Sequence, residues 1–565
     1  MAAIIFFARL GNFSLFNPDE GLYAEPAREM LETGQYITTT LNYVVRFTKP
    51  PLVIWAMAAA YKMFGINEFA ARIFCAISGF ILTIVTYLFA NKYLGSRVAI
   101  FAACILLTSP LFVGVGRMAI TDMPLSLFMA GSLFSFFHAW KQKRKLWLYL
   151  GYILTAFAVM TKGPVGLLLP IVILTSFLYL CSATKDTIKF FSLPIGALIV
   201  ALIALPWFVI EITITNGAYF NEFIMRENFA RFTSVVDSHK GPWFYHIAVV
   251  FGGLFPWSIL LPQSIIRVVK NIYSDSDSWQ SKIKSVFSLL RSGSIIRVTK
   301  NIYSDSDNGK TKIKSIFSLV NWGNSCQNLK GANEVLLFAL ISAIVIIFFF
   351  SLSVSKLLPY TLPAFPALAI IISYQWDIFI QSKQRKSILI YCLTMSLVYL
   401  GAACLAPIAL KFLRDAPPEL IALIFQYACL MTAITLFCTL LATYKHLLLS
   451  SAILFSTIVI STAVFLPQFL SVVCQFWEEE IPQYARSISM SKNPLIVYRL
   501  RKPGIPFYLG RRVIQSNDKD DLSKTTKTLG SCYLITSRKY LSEAELIGYK
   551  VITKKDNFAL LGFTQ

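Results

Sequence analysis

Adjacent acids open the first polar stretch of this chain. Asp19 and Glu20 sit in Asn17-Pro-Asp-Glu-Gly-Leu-Tyr-Ala-Glu-Pro-Ala-Arg-Glu-Met30, an island between two apolar stretches, with Thr48-Lys-Pro-Pro51 close behind. Further along, ionisable residues recur where apolar runs end: Asp122 after Arg117, Lys162, Arg226 to Arg231, His239, and Lys356 with Tyr360. A charge at such depth is costly unless it faces a cavity or a partner, so a functional site is the default expectation. The mixture has a chemical logic. A carboxylate can take a proton from an incoming hydroxyl. Several Lys and Arg can hold a phosphate or diphosphate and stabilise it as it leaves.

Each residue also has a plain structural reading. Asp19 can cap the helix that follows, and Asp122 can cap the one opened by Met123-Pro124. Lys162 and Lys356 can extend to the membrane interface. Glu20 reads as structural or as a hydrogen-bond partner to the site, Arg226 as a loop charge, His239 as a hydrogen-bonded loop residue and Glu211 as interfacial. Convergence on one side of a membrane favours chemistry for the set.

That convergence depends on the elements between the motifs. Of 565 residues, 56% are hydrophobic and 14% charged. Soluble proteins are near a quarter charged, so a polytopic α-helical membrane protein is expected. The net charge of +23 comes mainly from short Lys/Arg clusters between apolar runs. Loops held on the cytoplasmic side look like this, so no nucleic-acid partner is expected. The first apolar segment, Met1–Leu10, is too short to cross a bilayer, which takes about 20 residues, and has no cleavage pattern; it reads as a shortened first spanning helix.

Two amphipathic helices are predicted in the first outer loop, 17–66: Glu20–Leu31, closed by Gly34, and Pro50–Tyr61, opened by Pro-Pro. Apolar runs follow at Phe69–Leu94, Ala99–Val115, Met123–Trp140, Leu146–Met160, Val165–Cys181, Phe191–Ile212, His246–Leu261, Asn333–Ser351, Leu358–Ile380, Ser387–Leu410, Leu420–Tyr444 and Leu447–Pro467. With the first segment they make about 13 transmembrane helices. Basic anchors at Lys141–Lys145, Lys185–Lys189, after Leu261 and at Lys383–Lys386 fall on one face, taken as cytoplasmic. Alternation then puts Asp19, Asp122, Lys162, Tyr360 and everything after Pro467 on the other face, with the N-terminus cytoplasmic.

Residues 1–467 therefore read as the membrane part, and 468–565 as a small extracytoplasmic α/β domain. Its strands are expected at Asn493–Tyr498, Cys532–Thr536 and Phe558–Gly562, with a helix at Ser542–Gly548. A cytoplasmic insert at about 263–331 carries a duplication: Ser264-Ile-Ile-Arg-Val-Val-Lys-Asn-Ile-Tyr-Ser-Asp-Ser-Asp277 recurs almost unchanged as Ser294–Asp307. It reads as a basic amphipathic loop against anionic lipid. The ten cysteines contain no CxxC pair; Cys474 and Cys532 alone lie in polar sequence and could pair in an oxidising compartment.

Six motifs occur in order: Asn17–Leu31, Lys49-Pro-Pro-Leu52, Thr121-Asp122, Thr161-Lys-Gly-Pro164, His239-Lys-Gly-Pro-Trp243 and Ser355-Lys-Leu-Leu-Pro-Tyr360. In this order the chain resembles the bacterial branch of the protein O-mannosyltransferase superfamily, nearest the 4-amino-4-deoxy-L-arabinose lipid A transferases. The resemblance implies a GT-C membrane glycosyltransferase of the inner membrane. Such enzymes move a sugar from a polyprenyl-phosphate donor to an acceptor on an envelope lipid, glycan or protein. By motif match, Asp19 takes the general-base position and Asp122 the second acid position. Lys49, Lys162 and Tyr360 fall where donor-phosphate contacts lie, and Glu20, Arg226, His239 and Lys356 join them as expected substrate-binding residues. Two positions depart from the pattern. Leu22 stands where the aminoarabinose transferases carry Arg, and Thr48 where they carry an acid before Lys-Pro-Pro. Without that acid, His239 is a poor metal ligand, so no metal or other cofactor is expected. A transporter or flippase of a lipid-linked substrate is the competing expectation. It calls for internal symmetry, which the sequence lacks, and for motifs at the membrane midplane rather than on one face.

Overall fold

In the computed structural model, residues 1–181, 185–230, 241–273, 331–412, 417–555 and 557–564 are described. The duplicated insert lies almost entirely outside them. The chain begins with α1 (Ala2–Phe7), α2 (Gly21–Thr33) and a hairpin of β1 (Thr40–Leu41) and β2 (Val44–Val45). Then come α3 (Leu52–Phe64), α4 (Glu68–Leu94), α5 (Ser96–Thr108), α6 (Pro110–Gly116), α7 (Asp122–Gln142), α8 (Lys145–Lys162) and α9 (Val165–Leu180). Both amphipathic helices of the first loop are present. Gly34, in the left-handed region at φ 73°, closes α2 with its N–H on Met30 O, as a C-cap glycine does.

Among the described residues, seven helices are long and apolar enough to cross a membrane, or up to nine if each of two bent pairs counts as one span. The expected 13 are not reached, for physical reasons. The run Ala99–Val115 is α5 and α6, bent by 68° at Ser109-Pro110; His246–Leu261 lies within a second pair, bent by 116°. α9 is shorter than a full crossing, and α7 and α8 carry charges at their ends. The helices form a multi-pass bundle around one large apolar core that runs from Ile5 to Ala463.

The last apolar helix, Leu447–Trp477, continues past Pro467, the expected boundary, before polar sequence takes over. Beyond it, β3 (Leu495–Tyr498), β4 (Ile514–Ser516), β5 (Ser531–Ser537), β6 (Lys550–Lys554) and β7 (Phe558–Thr564) form a five-stranded sheet in the order β4-β3-β5-β7-β6. β3 runs parallel to β4 and β5, while β7 is antiparallel to β5 and β6. β3 is buried along its whole length, which suits a continuous Leu-Ile-Val-Tyr run. Sequence reading found β3, β5, β7 and the helix Leu541–Ile547; it missed β4, too short, and β6, a lysine-flanked strand exposed along its whole length. Cys474 and Cys532 are both free, so the pairing considered for them is not formed. Cys474 lies against Ser14 O and Cys532 against the Tyr549 hydroxyl, in separate packing environments.

The sheet region is locked to the first loop across the length of the chain. Asn17 accepts from Gly504 N at 2.7 Å and donates to Glu478 at 3.2 Å. Asn42 and Val513 exchange two hydrogen bonds of 2.8 Å, and Leu15 N donates to the Tyr508 hydroxyl at 2.7 Å. Gly21 is required by close approach, since a Cβ there would stand 2.5 Å from Gly504 N.

Candidate active site

The acids that open the polar island part company in space. Asp19 is exposed and lines a cavity of about 1080 Å³ between the helix bundle and the sheet region. The N-cap of α2 falls on the next residue, Glu20, whose side chain makes no cap bond. Glu20 is fully buried and does not line the cavity, which corrects its expected place among the substrate contacts. Its carboxylate faces Arg72 of α4 in a bidentate pair, Nε to Oε1 at 2.8 Å and Nη2 to Oε2 at 2.6 Å. It also accepts from Ala119 N at 2.7 Å and Phe16 N at 2.8 Å. Arg72 in turn donates to the carbonyls of Leu10, Phe13 and Ser14 and stacks 3.9 Å from the Phe13 ring centre. This buried pair ties the residue after Asp19 to the turn that precedes Asp122. Glu20 positions the site from behind.

Asp122 begins α7, and its carboxylate takes a hydrogen bond from the Lys162 ammonium at the end of α8. The Lys162 nitrogen lies 4.5 Å from the Tyr360 ring centre, a cation–π contact. Gly163 makes this placement workable. Its φ of 79° turns the chain sharply after Lys162, and a Cβ would stand 2.6 Å from the Phe223 ring. Tyr360 sits in the short turn Leu358–Ala364 and packs on Phe350 and His246.

Lys49 reaches the same cavity from just ahead of α3, its Nζ 3.5 Å from Glu227 Oε2. Arg226 lines it from a π-helical segment, Phe220–Ala230, and pairs with Glu222 one turn earlier. The cavity thus gathers Asp19, Asp122, Lys49, Lys162, Arg226 and Tyr360. Lys356 is different: its ammonium bonds Ser351 O, and the cavity wall is made by its neighbours Leu357, Pro359 and Tyr360. The expected substrate contact by Lys356 is therefore corrected to a bond that closes a helix end. His239 lies outside the described residues.

Sequence reading missed Tyr23, Arg46 and Glu227, and the wall contributed by Arg499, Arg501 and Lys502. Desolvation pushes the Tyr23 hydroxyl above its ordinary range; Arg46 pulls it down, Asp122 raises it and Lys162 lowers it. It stays protonated at neutral pH, a neutral group among these charges. A signal for the Glu20 pair was present, because an arginine inside the apolar run Phe69–Leu94 calls for a buried acid.

Chemically, the cavity offers an exposed carboxylate, a second carboxylate fixed by a lysine, and several cations. A base and a phosphate cradle can act together in such a space.

Residues 48–210 match the family described as dolichyl-phosphate-mannose-protein mannosyltransferase. A protein of Aquifex aeolicus, described as uncharacterized, is 29% identical over 294 residues, 51% of this chain and 57% of that one. An undecaprenyl phosphate-alpha-4-amino-4-deoxy-L-arabinose arabinosyl transferase of Erwinia tasmaniensis is 29% identical over 283 residues, 49% of this chain and 50% of that one. The chain therefore spans about half the length of the curated relatives it matches. Among solved structures, ArnT from Cupriavidus metallidurans bound to undecaprenyl phosphate is similar at a TM-score of 0.73 and 22% identity, covering 99% of this chain and 96% of that one. Its apo state gives a TM-score of 0.75 at 21% identity. The resemblance read from the six motifs thus appears both in sequence relatives and in the fold.

Proposed function

We propose that this protein is an integral-membrane glycosyltransferase that moves a sugar from a polyprenyl-phosphate donor to an acceptor on an envelope lipid, glycan or protein. The observation that carries the reading is the shared cavity. Asp19 and the Asp122–Lys162 pair face one space of about 1080 Å³ with Lys49, Arg226 and Tyr360. The names of the similar proteins agree with it. Asp19 takes the proton of the acceptor hydroxyl, or orients an acceptor phosphate, as it attacks the anomeric carbon. Lys49 and Lys162 stabilise the charge that grows on the departing polyprenyl phosphate. Lys49 exchanges Glu227 for that phosphate, and Asp122 holds Lys162 in place. With base and leaving-group cations acting on opposite sides of the sugar, displacement inverts the anomeric centre.

The basic anchors support an extracytoplasmic site, with residues 468–565 on that face as a unit of their own. We propose that catalysis needs no metal. Thr48 lines the cavity where an acid would be the better ligand, and a lone hydroxyl binds divalent cations weakly.

Membranes containing the protein, supplied with a polyprenyl-phosphate-linked radiolabelled sugar, test both statements. Label is expected to move to an envelope acceptor, and EDTA is expected to leave the rate within about twofold. No transfer from any such donor contradicts the function. Loss with EDTA, restored by zinc or magnesium, contradicts the metal-free mechanism alone.

A further inference from the structure

We propose that Arg46 is a ligand of the donor phosphate, preset for that role by a carbonyl that Pro26 leaves without its helical partner. The inference rests on the transferase reading above.

In an α-helix the carbonyl of Leu22 would accept from the N–H of residue 26, but that residue is Pro26, inside the helix and without an N–H. The orphaned acceptor is taken by Arg46, whose Nη1 hydrogen-bonds Leu22 O. A charged donor on an unsatisfied carbonyl makes a strong, directional bond.

Arg46 is also fixed from its own side. It follows β2, and the hairpin pairs Thr40 with Val45 and Leu41 with Val44. Arg46 N donates to Thr39 O at 2.9 Å, and the Thr39 hydroxyl donates back to Arg46 O. Asn42 and Tyr43, at the turn, have φ of 56° and 60°, and Asn42 is bonded to Val513 on the sheet region. Backbone and guanidinium are therefore both anchored.

The anchored group lies where a phosphate cradle needs charge. Arg46 lines the cavity with Asp19, Lys49 and Lys162, and its guanidinium carbon lies 6.0 Å from the Tyr23 ring centre. The Tyr23 hydroxyl is also within electrostatic reach of Asp122 and Lys162. α2 has no cation of its own between Asp19 and Arg28. A planar guanidinium can serve a carbonyl and a phosphate oxygen at the same time, and it matches phosphate geometry better than an ammonium. A preset arginine also loses less rotamer freedom on binding.

The test measures binding of a polyprenyl monophosphate to the purified full-length protein, alongside donor and acceptor KM. Arg46→Gln is the informative variant, because it removes the charge while keeping a polar amide at that position. Arg46→Gln and Arg46→Ala are expected to weaken monophosphate binding about tenfold and to raise donor KM, leaving acceptor KM unchanged. Pro26→Ala gives Leu22 O a helical partner and frees the guanidinium. It is expected to weaken binding less, and to shrink the effect of Arg46→Gln when the two are combined. Wild-type affinity in Arg46→Gln overturns the proposal even if Arg46→Ala binds poorly, since the charge at this position would then not be needed for binding. A change confined to acceptor KM overturns it as well. Failure of the wild-type protein to bind the monophosphate at all would instead sink the transferase reading on which the proposal rests.

Discussion

Replacing Asp19 with Asn should lower sugar transfer by about 10²–10⁴-fold while donor binding stays as it was. The substitution keeps the size and hydrogen-bonding reach of the side chain but removes its ability to take a proton. At about 1.4 kcal/mol per factor of ten, the loss corresponds to about 3–5 kcal/mol of transition-state stabilisation. The cations that would hold the donor phosphate, Lys49 and Lys162, come from outside the Asp19 turn and have their own partners in Glu227 and Asp122. The loss should therefore appear in kcat with donor KM unchanged. Full transfer by Asp19→Asn would remove this residue from the mechanism. An equal loss of donor binding would make it a binding residue instead.

The second large effect concerns stability. Arg72→Leu should destabilise the protein by about 3–5 kcal/mol, because it leaves the Glu20 carboxylate buried without its charge partner. The carbonyls of Leu10, Phe13 and Ser14 lose their donor in the same step. Glu20→Leu should cost a comparable amount by stranding the guanidinium. The double variant Glu20→Leu/Arg72→Leu should recover part of the loss, since an apolar replacement of both partners leaves no buried charge. Thermal inactivation in detergent reads this directly. Additive losses in the double variant would show that the two residues act separately.

These two predictions separate neighbouring acids that the motif match told apart by role but not by burial. Asp19 and Glu20 are both acids in one polar turn, and their neighbours do not say which one faces outward. The answer depends on Arg72 and Ala119, residues of α4 and of the turn before α7. What was legible followed from contrast. Polar motifs stand out within apolar runs, so Asp19, Lys49, Asp122, Lys162 and Tyr360 could be selected together and the structure brings them to one cavity. The amphipathic helices were legible because Gly34 and Pro50-Pro51 punctuate them.

Long-range placement was not legible. Arg46 carries no motif and gains its place through a hairpin turn and the missing N–H of Pro26. Arg499, Arg501 and Lys502 reach the cavity only because Asn17 and Asn42 hold the sheet region against the first loop. Lys356 looked like a site residue from its motif, yet a nearby helix-end carbonyl takes its ammonium. Proline breaks such as Ser109-Pro110 explain part of the lower helix count, since they bend a continuous apolar run into two pieces.

Transfer of a sugar to the cell envelope by this cavity is read most directly by mass analysis of extracted envelope lipids and glycans. Cells with the gene, without it, and with the Asp19→Asn form should be compared. A sugar-bearing species is expected only with the intact protein, and polyprenyl-linked sugar should accumulate in the other two. An unchanged envelope in all three, or an Asp19→Asn profile matching the intact protein, would contradict transfer by this cavity.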